Sequence, residues 1–267
     1  MTNTPRIVEI ARHLIKHGPR KTYETSRRVR AVHNHTFIVD TTKSVYIWEH
    51  DFYPALYVPQ KDLINCELND KREIPSEGNG SAAVAELVVS PHDGLGEARV
   101  EGVLRFNTDE TLGHLAGKVR IEFGSISQWL EEDAPIYVHP KDPFKRVDIL
   151  RSQRPIEVKV NGKTIAKATS CMHLFETGLP TRYYLPLASV DQAVLRHSDL
   201  RTRCPYKGEA EYYNIVVDGE EMNNLAWYYR HPTQESADIT GLVCFYNEKV
   251  DTILDGQLQE RPKTHFA

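Results

Sequence analysis

Apolar residues recur at helical spacing most clearly near the start of the chain. Ile7, Ile10, Ala11, Leu14 and Ile15 share one helical face, and Gly18-Pro19 ends the pattern. This predicts an amphipathic packing helix at a domain edge. Beyond it the pattern changes to alternation. Residues 156–167 alternate around Asn161-Gly162, a strong hairpin signal, because asparagine and glycine tolerate the positive φ of a two-residue turn. Glu211 to Val217 alternates as well and turns at Asp218-Gly219 into Asn224 to Tyr229. Gly241 to Tyr246 reads as a compact apolar strand. Short strands, frequent turns and few helical stretches predict an all-β fold with a few short helices: a sandwich, barrel or tent-like pair of sheets.

The alternation repeats itself. At an offset of 127, residues 29–63 lie on 156–190 without a gap, placing Asn34 on Asn161, Ile38 on Ile165, Glu49 on Glu176 and Tyr57 on Tyr184. A second block follows at an offset of 124, where Leu115 to Val119 lie on Ile239 to Val243. Register held in two separated blocks predicts a duplication. Its expected parts are an N-terminal helix and linker (1–24), a degenerate first repeat (25–150) and a second repeat (151–267). Residues 76–81, rich in Gly, Ser and Asn, read as a flexible loop of the first repeat.

Composition narrows the function classes. The 267 residues carry a formal charge of -4, which argues against a broad nucleic-acid surface. The basic run from Arg20 to Arg30 reads as a solvated segment. Cys66, Cys171, Cys204 and Cys244 form no C-x-x-C pair, so neither a structural zinc site nor a disulfide scaffold is expected. No cofactor or metal is expected. The chain shows no signal core and no apolar run long enough to cross a bilayer, so the expected location is cytoplasmic, with no membrane partner.

The second repeat holds three dense segments that the first answers only in part. They are Phe175 to Tyr184, Thr202 to Gly208, and Ala226 to Tyr229. By the constant offset, the first repeat has a small residue near Gly102 where the second has Trp227. This one-sidedness favours a functional over a structural reading. Lys207 is a candidate base or anion holder, although a surface lysine is the default for its type. Tyr206 is its candidate partner in moving protons. Arg182 suits a carboxylate or phosphate, the alternative being an internal ion pair with Glu176. Glu176 recurs as Glu49, which argues for a shared structural role; as a general acid or base it would need a partly buried site. Cys204 follows Arg203, but no histidine stands at a signature distance, so a structural thiol is the preferred reading. Adjacent strand residues point to opposite faces. Tyr183 and Trp227 are therefore assigned to ligand contact, with Tyr228 beside them, and Tyr184 to the core. His139 and Asp142 either cap the junction loop, which is preferred, or reach the second repeat's pocket.

Cys204-Pro205-Tyr206-Lys207-Gly208, Phe175-Glu176-Thr177-Gly178-Leu179-Pro180 with Arg182-Tyr183-Tyr184, and residues 139–148 together resemble the tandem form of the domain of unknown function 427 family, also labelled nucleotidyltransferase-like. The resemblance runs from about residue 25 to about 257. It implies a small all-β fold similar to the β-tent group, with a pocket lined by these motif residues, and implies little about reaction. The nucleotidyltransferase label finds neither a glycine-rich phosphate loop nor a paired-aspartate magnesium motif here. The expected function is a soluble small-molecule enzyme using metal-independent, non-redox acid–base chemistry on a polar or anionic metabolite. The alternatives are a non-catalytic module with an aromatic pocket and, on the label alone, a nucleotidyltransferase. The oligomeric state stays open.

Overall fold

A computed structural model describes residues 4–75, 78, 80–90 and 96–264. Of the glycine-rich loop at 76–81, Ser76, Glu77 and Asn79 lie outside the described residues. The chain divides into two units, Met1–Asp142 and Pro143–Ala267.

The first unit opens with α1 (Thr4–His17). Its strands are β1 (Lys21–Glu24), β2 (Val29–His33), β3 (Thr36–Thr41), β4 (Val45–Trp48), β5 (Ala55–Pro59) and β6 (Cys66–Ile74). They continue with β7 (Ala82–Val89), β8 (Ala98–Phe106), β9 (Lys118–Ile121), β10 (Gln128–Glu131) and β11 (Ala134–Ile136). The second unit has β12 (Val147–Ser152), β13 (Ile156–Val160), β14 (Lys163–Ala168), β15 (Cys171–Glu176), β16 (Arg182–Leu185) and β17 (Leu195–Cys204). It ends with β18 (Gly208–Val217), β19 (Glu220–Pro232), β20 (Val243–Phe245), β21 (Asp251–Leu254) and β22 (Gln257–Leu258).

Each unit builds a seven-stranded and a four-stranded antiparallel sheet. The large sheets run β1-β4-β5-β9-β8-β7-β6 and β12-β15-β16-β20-β19-β18-β17, which is the same order. The small sheets run β11-β10-β2-β3 and β22-β21-β13-β14. The duplication extends to the register. Val29 faces Thr41 as Ile156 faces Ala168, and both hairpins carry a bulge two residues later, at Ala31/Val32 and Val158/Lys159. Asn34 and His35 take positive φ in the first turn, Asn161 and Gly162 in the second. A bulge kept at the same place in two copies marks common construction, because it re-aims every residue beyond it.

Pairing also moves the repeat boundaries. Lys21 pairs with Trp48 as Asp148 pairs with Phe175, so β1 and β12 are equivalent at the offset of 127. The sequence reading left 21–24 in a linker and placed 147–150 in the first repeat. Both are edge strands without a fully buried residue; β1 is mostly exposed, and β12 contributes only the partly buried Val147 and Ile149 to the apolar layer, so neither shows a long alternating stripe. Nor does α1 stand apart. Ile7, Val8, Ala11 and Leu14 are buried against the large sheet of the first unit.

In each unit one core fills the space between the sheets. Val29, Ala31, Ile38, Val58 and Trp129 belong to it in the first unit, and Ile156, Val158, Ile165, Leu185 and Val243 in the second. A further apolar layer lies on the outer face of each large sheet. In the first unit, Val45, Ile47, Tyr57, Leu104 and Phe106 pack under α1. The matching layer of the second unit is Leu174, Tyr184, Tyr212, Trp227 and Tyr229, with Met172 and Tyr246 against it.

Candidate functional site

Pairing identifies the true counterpart of each motif residue. Tyr57 pairs with Arg120 and Leu104 with Arg120, whereas Tyr184 pairs with Cys244 and Trp227 with Cys244. Trp227 therefore replaces Leu104, two residues beyond the position that the constant offset indicated. Bulges in the long hairpins of both units shift the offset by a residue or more.

The two outer faces neutralise the same buried carboxylate differently. Glu49 accepts hydrogen bonds from Tyr57 Oη (2.8 Å) and Arg120 Nε (2.7 Å), and Arg120 also donates to Glu122. In the second unit the arginine is replaced by Cys244. Glu176 is met instead by Lys207 Nζ at 2.5 Å, from the β17–β18 turn, with both side chains largely buried. Burial alone would lower the Lys207 pKa, but the neighbouring Cys204 and Glu176 side chains outweigh it and hold it above the ordinary lysine value. Lys207 is thus an ammonium at neutral pH.

The remaining motif residues are mostly bound internally. Arg182 pairs with Glu248 (2.6 Å), not with Glu176, and also donates to Asn247 Oδ1. Its guanidinium lies 5.4 Å from the Trp227 ring centre and 5.9 Å from that of Tyr246. Trp227 Nε1 donates to Tyr184 Oη at 3.0 Å, and Tyr184 is fully buried. Tyr228, on the opposite sheet face, stacks on Tyr213 and donates to Glu211 at 2.9 Å. Tyr206 is buried, and its carbonyl accepts from the Thr233 and Ser236 hydroxyls. Cys204 is half-buried beside Lys207 and is a free thiol, as are the other three cysteines.

Two motif residues face open space instead. Tyr183 lines a cleft of about 170 Å³ in the second unit, with Pro180, Thr181, Asn247, Thr252, Gln259, Glu260 and Pro262. His139 lines a cleft of about 60 Å³ in the first unit, stacked on Tyr53 with 4.0 Å between ring centres. Glu49, Arg120, Phe123 and Trp129 border that cleft too. Asp142 accepts from Trp48 Nε1 in the same unit.

The clefts occupy the same place in the two copies. Tyr53, Pro54 and Leu56 correspond to Pro180, Thr181 and Tyr183 through the matched registers of β4–β5 and β15–β16. Trp129 pairs with Ala31 as Thr252 pairs with Val158, so Thr252 stands where the first copy has Trp129. Continuing the β9–β20 match puts Asn247 in place of Phe123. In the first copy these two rings stack (5.9 Å), and Trp129 Nε1 donates to the Phe123 carbonyl. A threonine and an asparagine cannot fill the volume of an indole and a phenyl ring, which accounts for the larger space in the second copy. The segment after the last hairpin borders each cleft, with 138–140 in the first unit and 259–262 in the second.

Thr252, Asn247 and Glu248 gave no warning in the sequence. The signal the sequence does carry is the loss of Trp129 and Phe123 between the copies, which lie beyond the last block of held register at Val119 and Val243.

The basic run from Arg20 to Arg30 is tied to acids: Arg20 to Asp51, Arg27 to Glu131, Arg28 to Asp40 and Arg30 to Asp133. Among the described residues no helix is long and apolar enough to cross a membrane.

The model of a family described as a domain of unknown function, DUF427, matches residues 21–109 and again 148–256. The second match begins within β12 and the first at the start of β1, as the paired registers require. No curated protein matches the chain. With two separate matches to one family model that together cover most of its length, the chain belongs to the DUF427 family as two tandem copies of its domain.

Proposed function

We propose that the chain binds a small molecule in the inter-sheet cleft of its second copy and does not transform it by acid–base chemistry. The observation that carries this reading is the recurrence of the cleft at one place in both copies, widened in the second by Thr252 and Asn247. Ligand sites are typically concave, with a few polar groups among apolar walls. Here Tyr183, Asn247 and two prolines form walls, and threonine, glutamine and glutamate side chains supply the polar groups. An acid–base enzyme built on the motif would need a free base. Lys207 is held protonated against Glu176, and Arg182 is held by Glu248. Binding as read here needs no metal.

The test is a fragment screen on the full chain, followed through the methyl resonances of Thr181 and Thr252. Single-ring polar fragments are expected to shift both threonines. Fragments that perturb only first-unit resonances, or none, would overturn the proposal.

A further inference from the structure

Resting on that reading, we infer that the second cleft selects an uncharged single-ring molecule with hydrogen-bonding groups and rejects anions of the same size. Three observations carry this. The first is size: an apolar cavity of about 150 Å³ is enough to hold benzene, and this cleft offers about 170 Å³. One ring with a short substituent fits.

The second is hydrogen bonding. The hydroxyls of Tyr183 and Thr252, two residues that line the cleft, have no hydrogen-bond partner among the described residues. Each can donate and accept, which suits a group such as an amide that does both. Asn247 is already engaged: its Oδ1 accepts from Arg182 and its Nδ2 donates to the Thr181 carbonyl. It therefore forms a fixed wall rather than an adaptable partner.

The third is charge. Among the described residues no lysine or arginine lines the cleft, and Glu260 does. Every arginine flanking it is already bound to a carboxylate: Arg182 to Glu248, Arg154 to Asp255, and Arg261 to Asp251. A carboxylate or phosphate entering here would meet the Glu260 carboxylate and no cation in the lining, an unfavourable exchange for its hydration. Of the polar or anionic metabolite expected from the sequence this keeps the polar alternative and departs from the anionic one, which Arg182 would hold.

Benzamide and benzoate share shape and differ in charge, so they isolate this preference. Binding of each is measured by titration calorimetry on the full chain and on Thr252→Trp, which restores the first copy's residue. Benzamide is expected to bind, and benzoate to bind about tenfold more weakly or worse. Thr252→Trp should abolish both. If benzoate binds as tightly as benzamide and both are lost in the variant, the charge preference is wrong and the cleft remains the binding site. If neither probe binds, or binding survives Thr252→Trp, the cleft itself is not a binding site. Should Thr252→Trp fail to melt cooperatively, Asn247→Phe, the other residue of the first copy, replaces it with the same expectations.

Discussion

The outer faces of the two large sheets solve one problem in two ways. In the first unit a separate helix covers the face, with Ile7, Val8, Ala11 and Leu14 on strand residues of moderate size such as Leu104. At the matching face of the second unit no α-helix is present among the described residues; only Ile239 of a short 3-10 helix packs there, and the strands themselves supply the bulk. Leu104 gives way to Trp227, Val84 to Tyr212 and Phe106 to Tyr229. The carboxylate common to both faces changes its cation with its surroundings, from Arg120 on a strand to Lys207 on a turn. Side chains found in one copy alone can therefore be the substitute for a missing covering element. Between the sheets the comparison runs the other way. There the second copy has the smaller residues, Thr252 and Asn247, and space opens.

The largest effect should come from Lys207→Met. If Lys207 is the structural counterpart of Arg120, its loss leaves Glu176 buried without a cation and costs about 3–5 kcal/mol, read from chemical denaturation. Arg120→Met should do the same to the first unit. Adding Glu176→Leu to Lys207→Met should recover much of the loss, because an apolar pair carries no desolvation penalty. A Lys207→Met variant as stable as the parent would break the equivalence and return the lysine to the candidate chemistry.

Next come the two coverings. Leu14→Ala removes a fully packed helix residue and should cost about 2–5 kcal/mol. Trp227→Leu installs the first copy's residue without the helix that goes with it, so a loss of similar order is expected. It also removes the indole donor to Tyr184. Ligand binding in the second cleft should survive both substitutions once folded protein is compared. Loss of binding by Trp227→Leu at unchanged stability would make the aromatic set a ligand wall after all.

The fold was readable where burial imposes a period. The Asn161-Gly162 hairpin, the helix face and the repeat were all legible, because an alternating or helical stripe is the sequence image of a surface half in water. The edge strands β1 and β12 were not, since β1 is mostly exposed and β12 turns only two apolar residues, Val147 and Ile149, toward the core layer. Within the site, Tyr184 was recognisable as core through its match to Tyr57, and Tyr183 as facing elsewhere by alternation. The partners were not legible. That Arg182 meets Glu248, and Glu176 meets Lys207, depends on which turns end near each other, a property of topology rather than of spacing. The cleft escaped notice for a related reason. A threonine draws attention only when one knows that a tryptophan occupies its place in the other copy.

The smallest effect concerns the inner faces, where Tyr46 and His173 are equivalent. Tyr46 donates to Glu131, while the Nε2 atom of buried His173 has no hydrogen-bond partner. Burial, reinforced by nearby Arg154 and partly opposed by Asp255, holds the His173 pKa below the ordinary histidine value. In the unfolded chain this histidine takes up a proton near pH 6.5. The folded state resists until lower pH, so the unfolded state gains protons first and stability falls as the pH drops below about 6.5. The fall ends once the lower folded pKa has been passed. His173→Phe keeps a ring at the site and removes the titration, so it should flatten this part of the profile. His33, lowered by burial and with an unpartnered Nδ1, adds a like dependence in the first unit. His33→Val, the residue of the second copy at Val160, isolates that share. Denaturation midpoints between pH 5 and 8 for the two variants then assign the acid sensitivity to one copy or the other. A profile unchanged by His173→Phe would mean that His173 finds a partner in solution, and that the inner faces are more alike than Tyr46 and His173 suggest.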